Sequence, residues 1–183
     1  MVELRPLSHA DLHAVRGWRN AARESLRTPF LLTPAMQDRF AAEVVDNPQA
    51  PHRYFGIWGT SSTCTGGTTA QRFVGMGGLT YIRWEDRIAE ISLIVNPPET
   101  AKGFGWDAAG ALLDEAFGRM CLLTICGEAY YCNPSGVTFW QKFCQEYGGE
   151  MARLPRRKWW DGRLHDSLYF TLTYEAWLSR RTA

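Results

Sequence analysis

The chain has 183 residues, of which 45% are hydrophobic and 21% are charged, and this composition is typical of a globular protein with a full core. Its 20 basic and 19 acidic residues give a net charge of +1, which argues against a polyanionic partner. No apolar run approaches the roughly 20 residues of a membrane span, and the N-terminus lacks a signal-peptide core. We therefore expect one cytoplasmic domain over residues 1–183.

The first third of the chain predicts a strand and two helices. Ser8 and Asp11 form a capping box, which begins a helix that we expect to run to about Leu26. Thr33 followed by Pro34 is a typical N-cap with proline in the first turn. The elements expected here are a strand over Val2–Arg5, a helix from Ser8 to about Leu26 and a helix from Thr33 to about Val45.

Three strands are then expected without a helix between them. Arg53–Trp58 and Phe73–Ile82 are strand-like, and the Ser/Thr/Gly-rich segment Ser61–Ala70 predicts a hairpin loop that joins them. Ile91–Val95 is a β-branched run typical of a buried or half-buried strand. A Rossmann-type fold would alternate strands and helices from the start, so this order favours an antiparallel sheet.

The segment after the third strand predicts an anion site. Gly103 and Gly105 let the backbone come close to a ligand, and the helix that follows, with an apolar stripe from Ala109, offers unpaired N–H groups and a positive dipole end. A tight turn with close helix packing would explain the same glycines. The dinucleotide fingerprint fails because Ala108 stands where its third glycine is needed, and no G-K-[ST] follows.

The C-terminal part predicts further strands and a helix, and no metal site. His9 and His13 have helical i, i+4 spacing, but they are more typical of a solvated helix start than of a zinc site. Asp161-Gly162 is a strong hairpin turn. The expected elements are a strand over Glu128–Cys132, a helix over Gly136–Tyr147, and two strands within Met151–Trp177.

A strand ending in V-N-P, then K-G-x-G, then an amphipathic helix resembles the coenzyme A site of the GNAT acyltransferase superfamily. Asn133, placed before a helix that contains F-W-Q-K-F, resembles the second signature of that family. The tripeptide Trp18-Arg19-Asn20 and the tail resemble its ribosomal-protein and amino-sugar N-acetyltransferase branch. Two positions depart from the pattern: Thr100 stands where Gln or Arg is usual, and Trp140 replaces a tyrosine that often acts as general acid.

The resemblance implies an α+β fold in three layers, with a mixed, mostly antiparallel sheet of about seven strands flanked by helices. It also implies acetyl-coenzyme A as co-substrate, with its pantetheine arm between Ile91–Val95 and Glu128–Cys132 and its diphosphate on the amides of the glycine turn. The residues expected to bind it are Leu93, Ile94, Val95, Lys102, Gly103, Phe104, Gly105, Trp106 and Asn133.

Acyl transfer to an amine needs a base, because an alkylammonium has a pKa of roughly 10. Glu90 is the candidate, directly or through a water; alternatively it is a surface carboxylate paired with Arg87. A backbone N–H near Leu93 or Ile94 could hold the oxyanion. With Trp140 in place of the tyrosine, the proton for the thiolate could come from Tyr131, Cys132, Ser135 or water. Cys132 as a covalent nucleophile is a weaker hypothesis, since strand cysteines are usually inert.

The expected function is acetyl-coenzyme A-dependent N-acylation of a primary amine, on a small molecule or a protein N-terminus. One alternative, motivated by Thr100 and Trp140, is a binding module without catalysis. Another is transfer to nucleic acid, because basic residues surround aromatic ones in the tail, namely Arg153, Arg156, Arg157, Lys158, Trp159, Trp160 and Arg163. The resemblance implies that the segment Thr28–Leu32 covers the acceptor, although a loop packed on the core would explain the same residues. An aromatic rim could include Phe30, Trp84, Trp159 and Trp160, and the tail hairpin could pair two subunits into a homodimer.

Overall fold

The computed structural model describes residues 1–61 and 70–182, so nearly all of the predicted Ser61–Ala70 loop lies outside the described residues. The elements, in chain order, are strand β1 (Val2–Arg5), helix α1 (His9–Ala21), a 3-10 turn (Arg23–Ser25), helix α2 (Pro34–Phe40) with a π-helical extension (Ala41–Val45), strands β2 (Arg53–Ser61), β3 (Ala70–Arg83) and β4 (Ile88–Val95), a 3-10 turn (Pro97–Glu99), helix α3 (Phe104–Leu113) with a π-helical extension (Asp114–Arg119), strand β5 (Thr124–Tyr130), helix α4 (Pro134–Tyr147), strands β6 (Glu150–Trp160) and β7 (Arg163–Thr173), and helix α5 (Tyr174–Thr182).

The strands form one seven-stranded sheet in the order β1-β2-β3-β4-β5-β7-β6. Every neighbouring pair is antiparallel except β4 and β5, which run parallel. The parallel pairing is short, because it joins only Ile88–Glu90 to Thr124–Cys126. The expected α+β fold with a mostly antiparallel sheet is confirmed. Among the described residues, no helix combines the length and the apolar character that crossing a bilayer requires.

Each face of the sheet buries its own hydrophobic cluster. On one face, Leu79 and Ile91 pack with Leu112 of α3 and with residues of α4 and α5. On the other face, Met76 packs with Leu12 and with the rest of the α1 and α2 cluster. Because side chains alternate along a strand, neighbouring residues of β3 and β4 serve opposite cores. This alternation makes the fold three-layered.

Two glycines let α3 lie close against the sheet. A Cβ built on Gly77 in β3 would stand 2.7 Å from Leu112 Cδ1, and one on Gly59 in β2 would stand 2.6 Å from the Phe104 ring. Phe104 is the first residue of α3 and is 6% exposed. Its ring therefore seats the beginning of α3 against the sheet. Phe104 was predicted to bind the coenzyme through its backbone N–H. Its side chain lies in the core.

The first helix ends earlier than predicted, at Ala21 instead of about Leu26. Its capping box is present as expected, with the Ser8 side chain accepting from the Asp11 N–H. The end is set by a distant residue. The ammonium group of Lys158 donates to the carbonyl oxygens of Arg23 and Leu26, which holds this segment in a 3-10 turn against β6. Local sequence carries no signal for such a contact.

Strand β5 also begins and ends before the predicted Glu128–Cys132. It spans Thr124–Tyr130 because pairing with β7 continues back to Thr124, opposite Thr173. A turn then follows, closed by the Asn133 N–H bonding to the Tyr130 carbonyl at 2.8 Å. Tyr131 and Cys132 lie in this turn, outside the strand.

The last two helices differ from the prediction. Helix α4 begins at Pro134 rather than Gly136, because the Asn133 side chain caps it by accepting from the Gly136 N–H at 3.1 Å. The predicted tail strands end at Thr173, and residues from Tyr174 form α5, which was not predicted. Trp177 is the buried residue that docks this helix, and its indole donates to Asp114.

Candidate active site

A cleft opens where β4 and β5 separate after Glu90. Pairing between the two strands stops at Glu90 and Cys126, and β5 continues with β7 alone. The cleft has a volume of about 710 Å³ and reaches from the α1–α2 segment past β4 to the beginning of α3. Such a gap leaves the backbone of β4 without a neighbouring strand beyond Glu90 on that side. The pattern of a splayed β4–β5 pair was predicted.

The exposed edge of β4 presents the backbone of alternate residues. The Arg87 carbonyl accepts from Leu123 and Thr124 on the β5 side, whereas the Asn96 N–H donates to Val74 on the β3 side. Since backbone groups alternate between the two edges of a strand, Leu93 and Val95 direct theirs into the cleft and Ile94 directs its own to β3. Of the two predicted oxyanion donors, only the Leu93 N–H therefore faces the open side.

The beginning of α3 supplies further backbone donors at the same cleft. Gly103 is the N-cap residue, with φ of 84°, a left-handed conformation that favours glycine. The carbonyl of Gly103 accepts from Trp106 and Asp107, so the N–H groups of Phe104 and Gly105 are the donors of the first turn that have no carbonyl one turn earlier. These amides and the helix dipole form an anion site. The Trp106 N–H was also predicted to bind the diphosphate, but it donates to the Gly103 carbonyl within the turn.

Side chains near this turn hold one another. Glu99 is 8% exposed and pairs with Arg72 Nη2 at 2.6 Å and with Lys102 Nζ at 3.3 Å. The hydrogen bond from Arg72 lowers the pKa of Glu99, with a smaller effect from Lys102. Thr100, in the place usual for Gln or Arg, donates to the Pro97 carbonyl at 2.7 Å. Lys102 does not line the cleft, whereas Thr100 does.

At the opposite end of the cleft, one arginine joins two carboxylates. Arg27 Nη2 lies 2.7 Å from Glu90 Oε1 and 3.3 Å from Glu128 Oε2. Burial alone would lower the pKa of the Arg27 guanidinium, but the charge of Glu90 raises it overall. Glu90 thus pairs with Arg27, and the alternative pairing with Arg87 is wrong, because Arg87 donates to the Cys121 carbonyl. Sequence spacing could not reveal a partner 63 positions away in an irregular segment.

Glu128 is the more enclosed of the two carboxylates. Its side chain is 4% exposed, and it accepts from Ser167 Oγ at 2.6 Å and from Arg157 Nε at 2.9 Å. Burial would raise the pKa of Glu128, but the bonds from Ser167 and Arg157 lower it overall. Glu128 was not predicted as a site residue. It is two positions from Cys126 along β5 and therefore shares the face of the sheet on which Cys126 neighbours Glu90.

The two adjacent tyrosines after Glu128 face different sides. Tyr130 lines the cleft together with Arg27. Burial raises the pKa of Tyr130, so its hydroxyl keeps its proton at neutral pH. Tyr131 does not line the cleft: its side chain packs against the cluster of Ala129, Val137 and Leu168, and its ring lies 4.9 Å below the Arg153 guanidinium. Among the expected proton donors, Ser135 does line the cleft and donates to Asn133 Oδ1 at 2.9 Å.

Trp140 occupies the wall of the cleft as part of an aromatic cluster. Its ring stacks on Phe170 with centroids 4.7 Å apart and meets Phe139 edge-on at 4.9 Å. An indole N–H can donate a hydrogen bond but cannot act as an acid near neutral pH. The position of the usual phenol is therefore occupied by a packing residue, and an acid must come from another group.

The structure brings most of the predicted site residues to one cleft. Those that line it are Glu90, Leu93, Ile94, Val95, Gly103, Gly105, Trp106, Asn133 and Ser135, whereas Lys102, Phe104 and Tyr131 do not. Of the predicted aromatic rim, Phe30 lines a smaller neighbouring cavity, and Trp84, Trp159 and Trp160 line neither.

A cleft at a splayed parallel strand pair, next to a glycine-capped helix, is the arrangement that the GNAT resemblance implies. Residues 2–143 match the family model described as an acetyltransferase (GNAT) domain. The chain therefore belongs to the GNAT acetyltransferases, and it is an N-acetyltransferase that uses acetyl-coenzyme A. The narrower assignment to the ribosomal-protein and amino-sugar branch stays a prediction.

Solved structures share this fold over almost the whole chain. A chimera of the spermidine N-acetyltransferase SpeG from Vibrio cholerae and hSSAT is 20% identical, with a TM-score of 0.78 over 98% of this chain and 99% of that chain. The spermidine N-acetyltransferase from Vibrio cholerae in complex with CoA and spermine is also 20% identical, with a TM-score of 0.78 over 97% and 98%. No curated protein matches the chain significantly.

Proposed function

We propose that the cleft transfers an acetyl group directly from acetyl-coenzyme A to a primary amine, on a small molecule or a protein N-terminus. The observation that carries this proposal is the continuity of one cleft from the amides at Gly103, past the open edge of β4, to the carboxylate of Glu90. The spermidine N-acetyltransferase that shares the fold was solved with CoA and spermine, which supports a small amine as acceptor.

The proposed binding mode uses backbone groups more than side chains. The diphosphate would lie on the N–H groups of Phe104 and Gly105, and the amide-bearing arm would pair with Leu93 and Val95 as an added strand does. Thr100 and Lys102 contribute little in this account, because each is bonded to a neighbouring residue. The backbone part of the site does not depend on the departure at Thr100.

In the proposed reaction, the amine nitrogen attacks the thioester carbonyl, the new C–N bond forms, and the C–S bond breaks. Glu90 takes the proton of the amine, directly or through a water. The Leu93 N–H stabilises the oxyanion from the open edge of β4. The thiolate takes a proton from Tyr130, Ser135 or water; the first two line the cleft. Tyr131 is not retained in this role, because it does not line the cleft.

Release of the coenzyme A thiol with a panel of amines tests the activity, and calorimetry with acetyl-coenzyme A tests the site. Absence of saturable binding at about 1 mM acetyl-coenzyme A would refute the proposal. If acetyl-coenzyme A binds but no amine is acetylated, the chain is a binding module instead. Activity that is lost in Glu90→Gln and Lys102→Glu would exclude that alternative, since the first variant removes the proposed base and the second places a negative charge beside the anion site.

The nucleic-acid hypothesis gains no support from the tail hairpin. Arg153 pairs with Asp166 at 2.7 Å, Arg157 pairs with Glu128, and Lys158 is 7% exposed. Two of these arginines are thus paired with carboxylates and the lysine is enclosed, and nucleic acid as acceptor stays an alternative hypothesis. A cytoplasmic location and a homodimer stay predictions.

A further inference from the structure

A second cavity, of about 310 Å³, adjoins the amine end of the cleft. The two cavities share Arg19, Thr28, Tyr54 and Tyr81 in their walls. The second cavity is otherwise lined by the α1–α2 segment, by α2 with its extension, and by His52 before β2. A molecule whose amine reaches Glu90 can therefore extend into this cavity.

One part of the wall of the second cavity is apolar. It includes Leu32, Met36, Phe40 and Val44, and Phe30 stands at its edge with 54% of its surface exposed. Met36 is also 46% exposed. Large apolar side chains that are exposed around a cavity are typical of a ligand-binding surface. This part of the cavity therefore suits an aliphatic or aromatic group.

The polar groups in these walls include several hydrogen-bond donors. Gln37 is 2% exposed, and its Nε2 has no hydrogen-bond partner within residues 1–61 and 70–182. Arg19 donates to Thr28 Oγ1 at 3.4 Å, a long bond that leaves several of its five donors for a ligand. His52 Nδ1 accepts from the Tyr81 N–H at 3.1 Å, so the neutral ring carries its proton on Nε2. Burial, with a smaller effect of Arg53, lowers the pKa of His52 and favours this neutral form.

The carboxylates that the described residues contribute to the two cavities are both already paired. Glu90 and Glu128 share Arg27, and Glu128 also pairs with Arg157. A polyamine carries several ammonium groups at neutral pH, and each needs an acceptor when it leaves water. The second cavity offers a guanidinium and an amide donor instead. Its electrostatics disfavour a polycation.

We propose that the second cavity binds the body of the acceptor, and that this body is an apolar or aromatic group bearing a carboxylate. This inference rests on the proposed function, because it deepens the choice of acceptor at the same site. A carboxylate matches the planar fork of Arg19, and its single negative charge fits one guanidinium and neutral donors better than the nearly double charge of a phosphate monoester. The unpartnered Gln37 amide would then be satisfied by the ligand.

The test is equilibrium binding to the full chain saturated with coenzyme A, which requires no turnover. Three matched pairs differ only in the carboxylate: phenylalanine and phenylethylamine, tyrosine and tyramine, tryptophan and tryptamine; spermidine represents polyamines. We expect each amino acid to bind about 10-fold or more tightly than its decarboxylated partner, as charged hydrogen bonds allow. Equal binding within the pairs, tighter binding of spermidine, or no binding of the amino acids would overturn the inference.

The Gln37→Leu variant tests whether the preference for a carboxylate arises in the second cavity. We expect it to lower the affinity for the amino acids by roughly 2- to 12-fold and to leave that for the amines unchanged. Gln145→Leu makes the same change on an exposed position of α4 outside both cavities and should change neither. An equal effect of the two variants would contradict the assignment. If coenzyme A itself fails to bind, the proposed function fails; if it binds and amines are acetylated without a carboxylate preference, only the inference fails.

Discussion

The two glycines at the beginning of α3 predict opposite effects of the same added methyl group. A Cβ on Gly103 would meet no atom within 4 Å, but its φ is 84°, so Gly103→Ala costs only the left-handed backbone penalty. That penalty is roughly 1–2 kcal/mol. A Cβ on Gly105 would lie 3.6 Å from Phe139 and from Val95, which is ordinary contact. Gly105→Ala should then stabilise the protein by about 0.5–1 kcal/mol, because alanine is the better helix residue.

The two variants should differ in free energy of unfolding by roughly 1.5–3 kcal/mol, which corresponds to roughly 3 to 12 °C in Tm for a chain of this size. Urea unfolding and thermal denaturation measure this difference, and calorimetry with acetyl-coenzyme A shows whether the turn also binds. Gly103→Ala should weaken binding, because the donors of the first turn shift, whereas Gly105→Ala should retain it. If Gly103→Ala were as stable as the parent, the left-handed cap would be refuted. Unchanged binding in Gly103→Ala would place the ligand elsewhere.

Three further predictions concern the chemistry and the pH dependence. Glu90→Gln should lower kcat by about 10²- to 10⁴-fold with little change in the KM for acetyl-coenzyme A. The exposed control Glu85→Gln should change neither constant, and equal effects of the two substitutions would exclude Glu90 as the base. Tyr130→Phe should lower kcat more than Tyr131→Phe in thiol-release kinetics, because only Tyr130 lines the cleft, and the reverse order would contradict its orientation. The hydrogen bond from Arg72 lowers the pKa of Glu99, so it contributes stability that is present above about pH 4.5 and lost as the pH falls further. In urea unfolding from pH 3 to 7, the free energy of unfolding of Glu99→Gln should therefore fall less at acid pH than that of the parent. An equal fall in both proteins would show that this ion pair does not contribute to the acid sensitivity.

Local patterns were sufficient for most elements but not for their ends. The β-branched run of β4, the capping box of α1 and the hairpin at Asp161-Gly162 involve neighbours in sequence, and each is present. The end of α1 depends on Lys158, which donates to carbonyls more than 130 positions away. Helix α5 was missed because the burial of Trp177, which docks it, is a tertiary fact.

The sequence by itself determined the strand, the glycine turn and the helix of the coenzyme site, because a left-handed cap and a first turn of free amides are local properties of a few adjacent residues. It also placed the side chain of Glu90 on the opposite face of β4 from that of Ile91, because the alternation of side chains along a strand needs no distant partner. Only the tertiary structure decided which groups face the acceptor. Arg27, Glu128 and Tyr130 come from separate segments, and they meet because β5 leaves β4 after Glu90 and because the α1–α2 segment is held against β6. Charge pairs and cavity walls of this kind depend on distances between distant residues, which a linear pattern does not contain.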